Sequence, residues 1–135
     1  MGTEMPPRLA AKQGDKISAL DMHWVQRPSS APILKSFEFQ GELKSDLSDN
    51  VFIQGRAAAT KGSVAQNIPP HIAKSGTFVN PPSNEGRIAG GSASVFINGK
   101  PAARDGDTAE TCDDRPGGNR KGKVRVESGS VYIGG

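Results

Sequence analysis

The sequence is poor in the residues that most often hold small domains together or carry chemistry. It contains one cysteine, two histidines and one tryptophan among 135 residues. The single cysteine, Cys112, excludes an intrachain disulfide, so folding does not require an oxidising compartment. No apolar run approaches the roughly 18 residues of a membrane span, and the polar first eight residues lack a signal-peptide core. We expect a chain made in the cytoplasm without a cleaved signal.

Signatures of catalysis and of nucleic-acid binding are also missing from the sequence. It has no G-x-S-x-G nucleophile motif and no phosphate-cradling glycine loop before a helix. Asp15 and Asp107 follow glycines in equivalent segments, where their plainest role is to cap turns. The pI near 9.2 comes mainly from basic residues between 115 and 125. Because no aromatic residue interleaves with them, they indicate a solvated face. We predict neither an enzyme nor a nucleic-acid partner.

What the chain does have is glycine and proline in number. There are 17 Gly and 10 Pro, and almost no apolar pattern with a helical period. This composition is typical of a turn-dense β structure with a thin core. The length is that of one ordinary domain. A core this thin usually needs help from a metal, a partner or an oligomeric platform.

One stretch recurs along the chain, and the recurrence organises the fold prediction. Residues 95–107 read VFINGKPAARDGD, and an equivalent stretch begins 44 positions earlier at Val51. The second half of the stretch recurs 92 positions earlier, at 10–15, and its first half recurs at 131–135. Joined end to start, these two fragments make one more copy. We therefore predict three repeat units in a single domain, 131–135 plus 1–50, 51–94 and 95–130.

A repeat that is split across the termini closes a ring. Pairing of the last strand with the N-terminal segment removes sheet edges that would otherwise template aggregation. We expect an all-β, pseudo-threefold body made by one chain, with long inter-repeat loops at 24–36 and 73–93. Alternating residues predict strands at 37–39 and 123–126.

The two histidines fall on one position of the repeat. His23 shifted by 92 and His71 shifted by 44 both reach position 115, which is occupied by Arg115, and Cys112 lies three residues before it. Equivalent loops of a threefold ring converge on its axis. Two imidazoles and a thiolate are three of the four ligands of a tetrahedral zinc site. The fourth ligand is open between Asp21, Asp113, Asp114 and a water.

The repeat resembles a known family. Pro101-Ala102-Ala103-Arg104 spells the motif of the PAAR-repeat proteins, and the Val-x-Ile-x-Gly segment before it and Gly106-Asp107 after it extend the similarity. The resemblance implies a small conical β-prism that caps the trimeric β-helical spike of a contractile injection system, such as type VI secretion or a phage tail-like device. It implies one chain per spike trimer, delivered out of the cell or into a target and contacting the target membrane transiently.

The resemblance also bears on the metal and on the docking face. Family members commonly hold zinc near the apex with three His and one Cys, whereas this chain has Arg115 where a third His is expected; iron is the alternative metal. The broad base would dock on the spike through strand edges and the repeated apolar segments. Alternation puts the central aromatic of each segment on one side of its strand and the flanking residues on the other. These docking residues are Val51, Phe52, Ile53, Val95, Phe96, Ile97, Val131, Tyr132 and Ile133.

A second function is compatible with the same sequence. In it, the protein is an effector or an effector adaptor whose regions 24–50 and 72–93 bind a toxin cargo.

Overall fold

The computed structural model describes residues 6–135, apart from the side chain of Asn119. The strands are β1 (Arg8–Leu9), β2 (Lys16–Gln26), β3 (Ile33–Ser45), β4 (Phe52–Ile53), β5 (Arg56–Ala57), β6 (Val64–Asn67), β7 (Thr77–Phe78), β8 (Glu85–Ile88), β9 (Phe96–Ile97), β10 (Lys100–Pro101), β11 (Thr108–Glu110), β12 (Gly122–Arg125) and β13 (Tyr132–Ile133). A single 3₁₀ turn, Gly118–Arg120, is the one helical element in 6–135. The all-β prediction is confirmed.

Six strands form a closed barrel. They pair antiparallel in the order β12–β11–β8–β6–β3–β2, and β12 pairs back onto β2 to close it. The short strand β7 adds to the outer end of β2, where Val25 faces Phe78. Closure removes the open edges of the main sheet. The barrel interior is filled by apolar side chains such as Ile17, Phe39 and Val124, all fully buried.

Three two-stranded hairpins stand below the barrel at equivalent positions of the repeat. They are β4–β5, β9–β10 and β13–β1. The last is a pairing of the two ends of the described chain with no turn between its strands, and we use the term hairpin for all three. The registers are equivalent, because Ile53 faces Arg56, Ile97 faces Lys100 and Ile133 faces Arg8. Two of the hairpins turn through a left-handed pair, Gln54-Gly55 and Asn98-Gly99, the geometry that a two-residue hairpin turn requires.

The small residues of the repeated motif form the axis of the ring. The backbones of three buried alanines form a closed circle of hydrogen bonds. Ala11 N donates to Ala103 O (2.9 Å), Ala103 N to Ala59 O (3.1 Å) and Ala59 N to Ala11 O (3.0 Å). Each alanine is fully buried. Side chains larger than methyl would keep the three backbones apart, so this close approach explains the Ala-Ala pairs. Below them lies a second threefold layer, formed by Ala10, Ala58, Ala102, Ile53, Ile97 and Ile133.

The turn residues after each alanine pair act alike, although they differ in chemistry. Asp15, Ser63 and Asp107 each accept a hydrogen bond from the backbone N–H three residues earlier, at 2.9, 3.0 and 2.7 Å. The predicted turn-capping role is therefore observed for both aspartates, and serine performs it in the second repeat.

The prediction of a long loop at 24–36 is wrong. β2 continues to Gln26 and β3 begins at Ile33, so only 27–32 connect them. The pattern was hidden because β2 turns polar Asp21 and His23 inward and exposes Leu20 and Trp24, which inverts the usual alternation. The second region, 73–93, is mainly irregular but contains β7 and β8. β2 starts beside the ring, and His23 is seven residues further along, about 23 Å away at about 3.3 Å per residue.

Candidate metal centre

Strand β2 places two polar side chains inside the distal end of the barrel. Successive residues of a strand point to opposite sides, so Asp21 and His23 face inward together. Both are fully buried. A carboxylate and an imidazole removed from water need partners or a cation to offset their desolvation.

Two other segments bring the remaining members of the cluster. His71 follows β6 by four residues, and its backbone N–H donates to Asn84 Oδ1 at 2.8 Å. Cys112 lies two residues after β11. The cluster therefore joins three segments that are distant in sequence: strand β2, the loop after β6 and the segment after β11.

The four side chains point their ligand atoms at one another. His71 Nε2 is 3.0 Å from Asp21 Oδ2, and Cys112 Sγ is 3.3 Å from the same oxygen and 3.6 Å from His23 Nε2. All four ligand atoms lie within 4.8 Å of one another. Four ligands placed tetrahedrally at zinc distances are separated by about 3.3–3.8 Å. The separations of 3.0, 3.3 and 3.6 Å lie near this range, so the cluster is compact enough to hold a metal ion.

Neighbouring polar groups orient the ligands. His23 Nδ1 lies 3.2 Å from Asp114 Oδ1, although not in the geometry of a good hydrogen bond. His71 Nδ1 is 3.2 Å from Asn67 Nδ2. Asp21 Oδ1 accepts a hydrogen bond from Thr111. Both Nε2 atoms face the cluster. Because Asn67 Oδ1 accepts from Gln40 N, Asn67 Nδ2 donates to His71 Nδ1, and His71 Nε2 then donates its own proton to Asp21 Oδ2. A metal at His71 Nε2 would require this proton to leave Nε2.

The thiol of Cys112 is strongly affected by this setting. Burial, followed by the negative charge of Asp21, raises the pKa of Cys112 to about 12. The protein alone therefore keeps the thiol protonated at neutral pH. A divalent cation at the centre would reverse this balance, because it favours the thiolate and draws the carboxylate toward itself.

Aromatic rings cover the cluster. Phe37 and Phe78 lie 5.2 Å apart between ring centroids, and each lies within 6 Å of the His23 ring, at 5.7 and 5.6 Å. Phe37 is also 5.4 Å from His71. The sequence did not predict this aromatic cover. Its one signal was the alternation Phe37-Glu38-Phe39, and an alternation does not show which side chains the aromatic rings contact.

The structure separates the three aspartates that were candidates for the fourth ligand. Asp21 lies in the cluster, whereas Asp113 binds the backbone N–H of Met22 and pairs with Arg115 at 2.7 Å. Asp114 binds the backbone N–H of Trp24 and lies against His23. Arg115, at the position expected for a third histidine, points its guanidinium at Asp113 instead of at the cluster. Of the three aspartates, Asp21 is therefore the one that lies in the cluster with His23, His71 and Cys112.

The residues predicted to dock on a spike divide into two sets at the other end of the molecule. The central aromatics are exposed, Phe52 by 60%, Phe96 by 56% and Tyr132 by 61%. The isoleucines that follow them are buried in the threefold layer, and Val51, Val95 and Val131 lie between these extremes. The separation expected from alternation is present for the aromatic and isoleucine side chains.

The structure is a closed β-barrel on a threefold ring of hairpins. A cluster of His, Cys and Asp side chains that could hold a metal ion lies at its distal end. These features define a small pseudo-threefold β protein with a candidate metal site. The model of the PAAR motif family matches residues 40–115 and 80–135, which is more than half of the chain. The chain belongs to the PAAR motif family. Membership indicates a spike-tip protein of contractile injection systems and implies association with a spike. No curated protein matches the chain.

The membership is compatible with the rest of the structure. PAAR proteins are structural tip proteins, and the cluster of Asp21, His23, His71 and Cys112 is consistent with the metal binding of the family. Within residues 6–135, no helix is long and apolar enough to cross a bilayer. Both family matches begin after His23, so the ligands on β2 lie outside the matched residues.

Proposed function

We propose that one copy of this chain caps the blunt end of a trimeric β-helical spike through the hairpin side and forms the sharpened tip with its distal end. The observation that carries this proposal is the ring itself. Three equivalent hairpins surround a closed circle of alanine hydrogen bonds, so a single chain offers a threefold surface to a threefold partner. A symmetric trimer needs only one such cap.

The contact surface is the aromatic face, defined by Phe52, Phe96 and Tyr132, one from each hairpin. Each ring is more than half exposed, and large exposed apolar side chains in a cluster mark interaction sites. Buried aromatic side chains contribute much of the binding energy in protein interfaces. The half-exposed Val51, Val95 and Val131 would widen the contact.

The docking proposal is tested with purified spike trimer of the same injection system. We expect the variant with Phe52→Ser, Phe96→Ser and Tyr132→Ser to lose more than about 100-fold in affinity, while mass measurement of the wild-type complex gives one chain per trimer. Leu20→Ser is the matched control, because Leu20 is 57% exposed on β2, away from the hairpins. Unchanged affinity of the triple variant, or equal loss in the control, would contradict the proposal.

At the distal end, we propose that His23 Nε2, His71 Nε2, Cys112 Sγ and Asp21 Oδ2 hold a zinc ion, with iron as the alternative. Imidazole, thiolate and carboxylate ligands in a tetrahedral arrangement suit zinc. The ion would supply a crosslink between three segments. A thin core gains most from such a crosslink, because metal binding adds its free energy to folding.

The mechanical role follows from the two ends together. Sheath contraction drives a narrow end against the target membrane, and the stiffness of that end decides whether it holds its shape. The barrel strands and the crosslinked segments provide the stiffness. The chain itself supplies positioning and rigidity in this role, with no chemical step.

An adaptor function for a toxin cargo is the second candidate, and one observation favours it. Leu20, Trp24 and Val79 are exposed by 57%, 41% and 48% near the distal end, and Val79 N donates to Trp24 O. Substitution of all three by Ser would abolish cargo loading but spare spike docking. Equal cargo loading by this variant would exclude the adaptor role of that surface.

A further inference from the structure

The pseudo-threefold ring creates three equivalent clefts on the flank of the molecule. Each lies between the turn after one alanine pair, the hairpin of the next repeat and the segment that leads into another hairpin. The first is bounded by 12–16, 54–56 and 125–130, and the second by 46–50, 60 and 97–100. In the third, Gly134 O accepts hydrogen bonds from Ser92 and Arg104, and Gly135 O accepts one from Ala93 N. These contacts join the walls at the third position, where Arg104 is also paired with Asp107.

The first cleft has a volume of about 530 Å³, and it is basic. Lys12 is neutralised by Asp15 at 3.2 Å. Lys16, Arg56 and Arg125 also line the cleft, and among residues 6–135 no carboxylate lies within 4 Å of their charged nitrogens. Glu127 is the one further acidic residue of the lining. The cleft therefore holds three cations that the described protein does not pair.

The second cleft has the same backbone plan but a different chemistry. Its volume is about 400 Å³, and its lining contains Asp46, Asp49 and a single cation, Lys100. Lys100 occupies the hairpin position of Arg56, 44 residues further along. Asn98 reaches across this cleft and donates to Ser48 Oγ at 2.9 Å and to Asn50 Oδ1 at 2.8 Å. The positive charge of the first cleft is thus a property of its residues and does not follow from the repeat.

From this contrast we infer that the first cleft binds an acidic peptide segment of a partner protein. Two guanidinium groups at one cleft can each hold a carboxylate through paired hydrogen bonds. The Ser128 and Ser130 side chains, which line the same wall, add neutral hydroxyl groups. The volume lies in the range that encloses several side chains, well above that of one small ion.

Two other ligand classes fit the cleft less well. The lining contains no aromatic residue, whereas proteins that hold single-stranded nucleic acid stack bases on aromatic rings. A bilayer would meet the distal end of a tip before it met the flank. A partner at the hairpin side, by contrast, reaches the cleft directly, because Gln54 and Arg56 belong to the turn and strand of the hairpin that carries Phe52.

A threefold partner offers three equivalent acidic segments, but the three positions of this chain are not alike. The first cleft is basic, the second is acidic, and at the third Arg104 is paired with Asp107. Each tip would hold one such segment, so a symmetric spike would bear an asymmetric attachment. This asymmetric attachment rests on the proposed cap function, whereas binding of an acidic peptide by the cleft is tested separately from the aromatic face.

The test is a titration of the full chain with a fluorescein-labelled hexaglutamate peptide, followed by anisotropy at low ionic strength and at about 0.15 M salt. We expect saturable one-to-one binding that weakens with salt. The double variant Arg56→Gln, Arg125→Gln should lose about tenfold or more in affinity. The control Lys100→Gln, at the position equivalent to Arg56, should stay within about twofold of wild type. Thermal melting of each variant checks that the fold is retained.

Three results would overturn the inference. One is the absence of saturable binding, and another is an equal loss in the Lys100→Gln control, which would assign the binding to overall charge. The third is displacement of the peptide by inorganic phosphate at the peptide's own concentration, which would make the cleft a site for small anions only. None of these results depends on spike docking, which the aromatic triple variant tests separately.

Discussion

The two ends of the molecule hold distant segments of the chain together by different interactions. In the ring, three repeats meet through backbone hydrogen bonds of 2.9–3.1 Å between Ala11, Ala59 and Ala103. At the distal end, three segments of the chain come together through their imidazole, thiol and carboxylate side chains. Backbone bonds need only small residues at the contact, whereas the ligand group needs particular residues at particular places.

This difference in interactions explains why the residues of the repeat are alike in the ring and differ at the distal end. The ring keeps Ala-Ala in all three units and tolerates Asp, Ser and Asp in the turns, because either side chain accepts the same backbone N–H. The distal end retains no equivalence. His23 lies on a strand, His71 lies in a loop, and the third unit contributes Cys112 while Arg115 turns away.

The largest effect is expected from enlarging the ring. Ala103→Leu would force the three backbones apart in a fully buried contact, and we expect a loss of about 3 kcal/mol or more in the free energy of unfolding. Urea denaturation measures it. Ala31→Leu, at an exposed loop position, is the matched control and should change stability by less than about 0.5 kcal/mol. A mild effect at 103 would show that the alanine circle is not the centre of the ring.

Breaking the distal cluster is expected to rank next. Cys112→Ser should remove bound metal and lower stability by about 3 kcal/mol when the metal is present at about 100-fold its dissociation constant. Metal analysis and melting with and without chelator measure this. Arg115→Ala is the control and should keep full metal content, because its guanidinium contacts Asp113. If chelation leaves the wild-type melting unchanged, the metal proposal fails.

The three turn residues offer a graded comparison within the ring. Asp107 is buried and binds Arg8 Nη2 at 2.8 Å and Arg104 Nη2 at 2.9 Å as well as its backbone partner. Asp107→Ala should therefore cost about 2 kcal/mol, more than Asp15→Ala at about 1 kcal/mol. Thermal melting of both variants decides the order. Equal costs would mean that the two arginine contacts of Asp107 add no more than the Lys12 contact of Asp15.

The smallest effect concerns an ion pair beside the cluster. Burial acts to raise the pKa of Asp113, but hydrogen bonds from Arg115 and Met22 outweigh it and hold the pKa below the ordinary 3.8. A lowered pKa contributes stability above pH 3.8, and this contribution is lost as the pH falls through the lower folded value.

We therefore expect Arg115→Ala to destabilise the metal-free protein only slightly at pH 7, since Arg115 is partly exposed and solvent screens its pair with Asp113. The difference from wild type should shrink at pH 3, as followed by chemical denaturation at both pH values. Arg120→Ala, which breaks a 3.9 Å surface pair with Glu110, is the control. A difference that grows on acidification would contradict the sign.

The repeat predicted much of this fold because its signals are local. The Asn98-Gly99 turn, the small-residue pairs and the split copy are visible as residue types at fixed offsets. The length of β2 and β3 was missed because the cluster requires polar residues inside a strand, which disguises the strand pattern. Asp21 shifted by 92 falls on Asp113, so spacing alone could not single it out from Asp113 or from the adjacent Asp114. Likewise, the sequence assigned Arg125 to a solvated face, whereas in the structure it lines the same cleft as Arg56.

Amide hydrogen exchange of the wild-type protein with metal and with chelator tests the contrast between the two ends most directly. If the metal holds the distal end while the ring stands on its own backbone bonds, chelation will accelerate exchange at 21–25, 67–72 and 111–115. The amides of Ala11, Ala59 and Ala103 will then remain protected to the same degree. Uniform acceleration throughout the chain, or no change at the distal segments, would contradict the account.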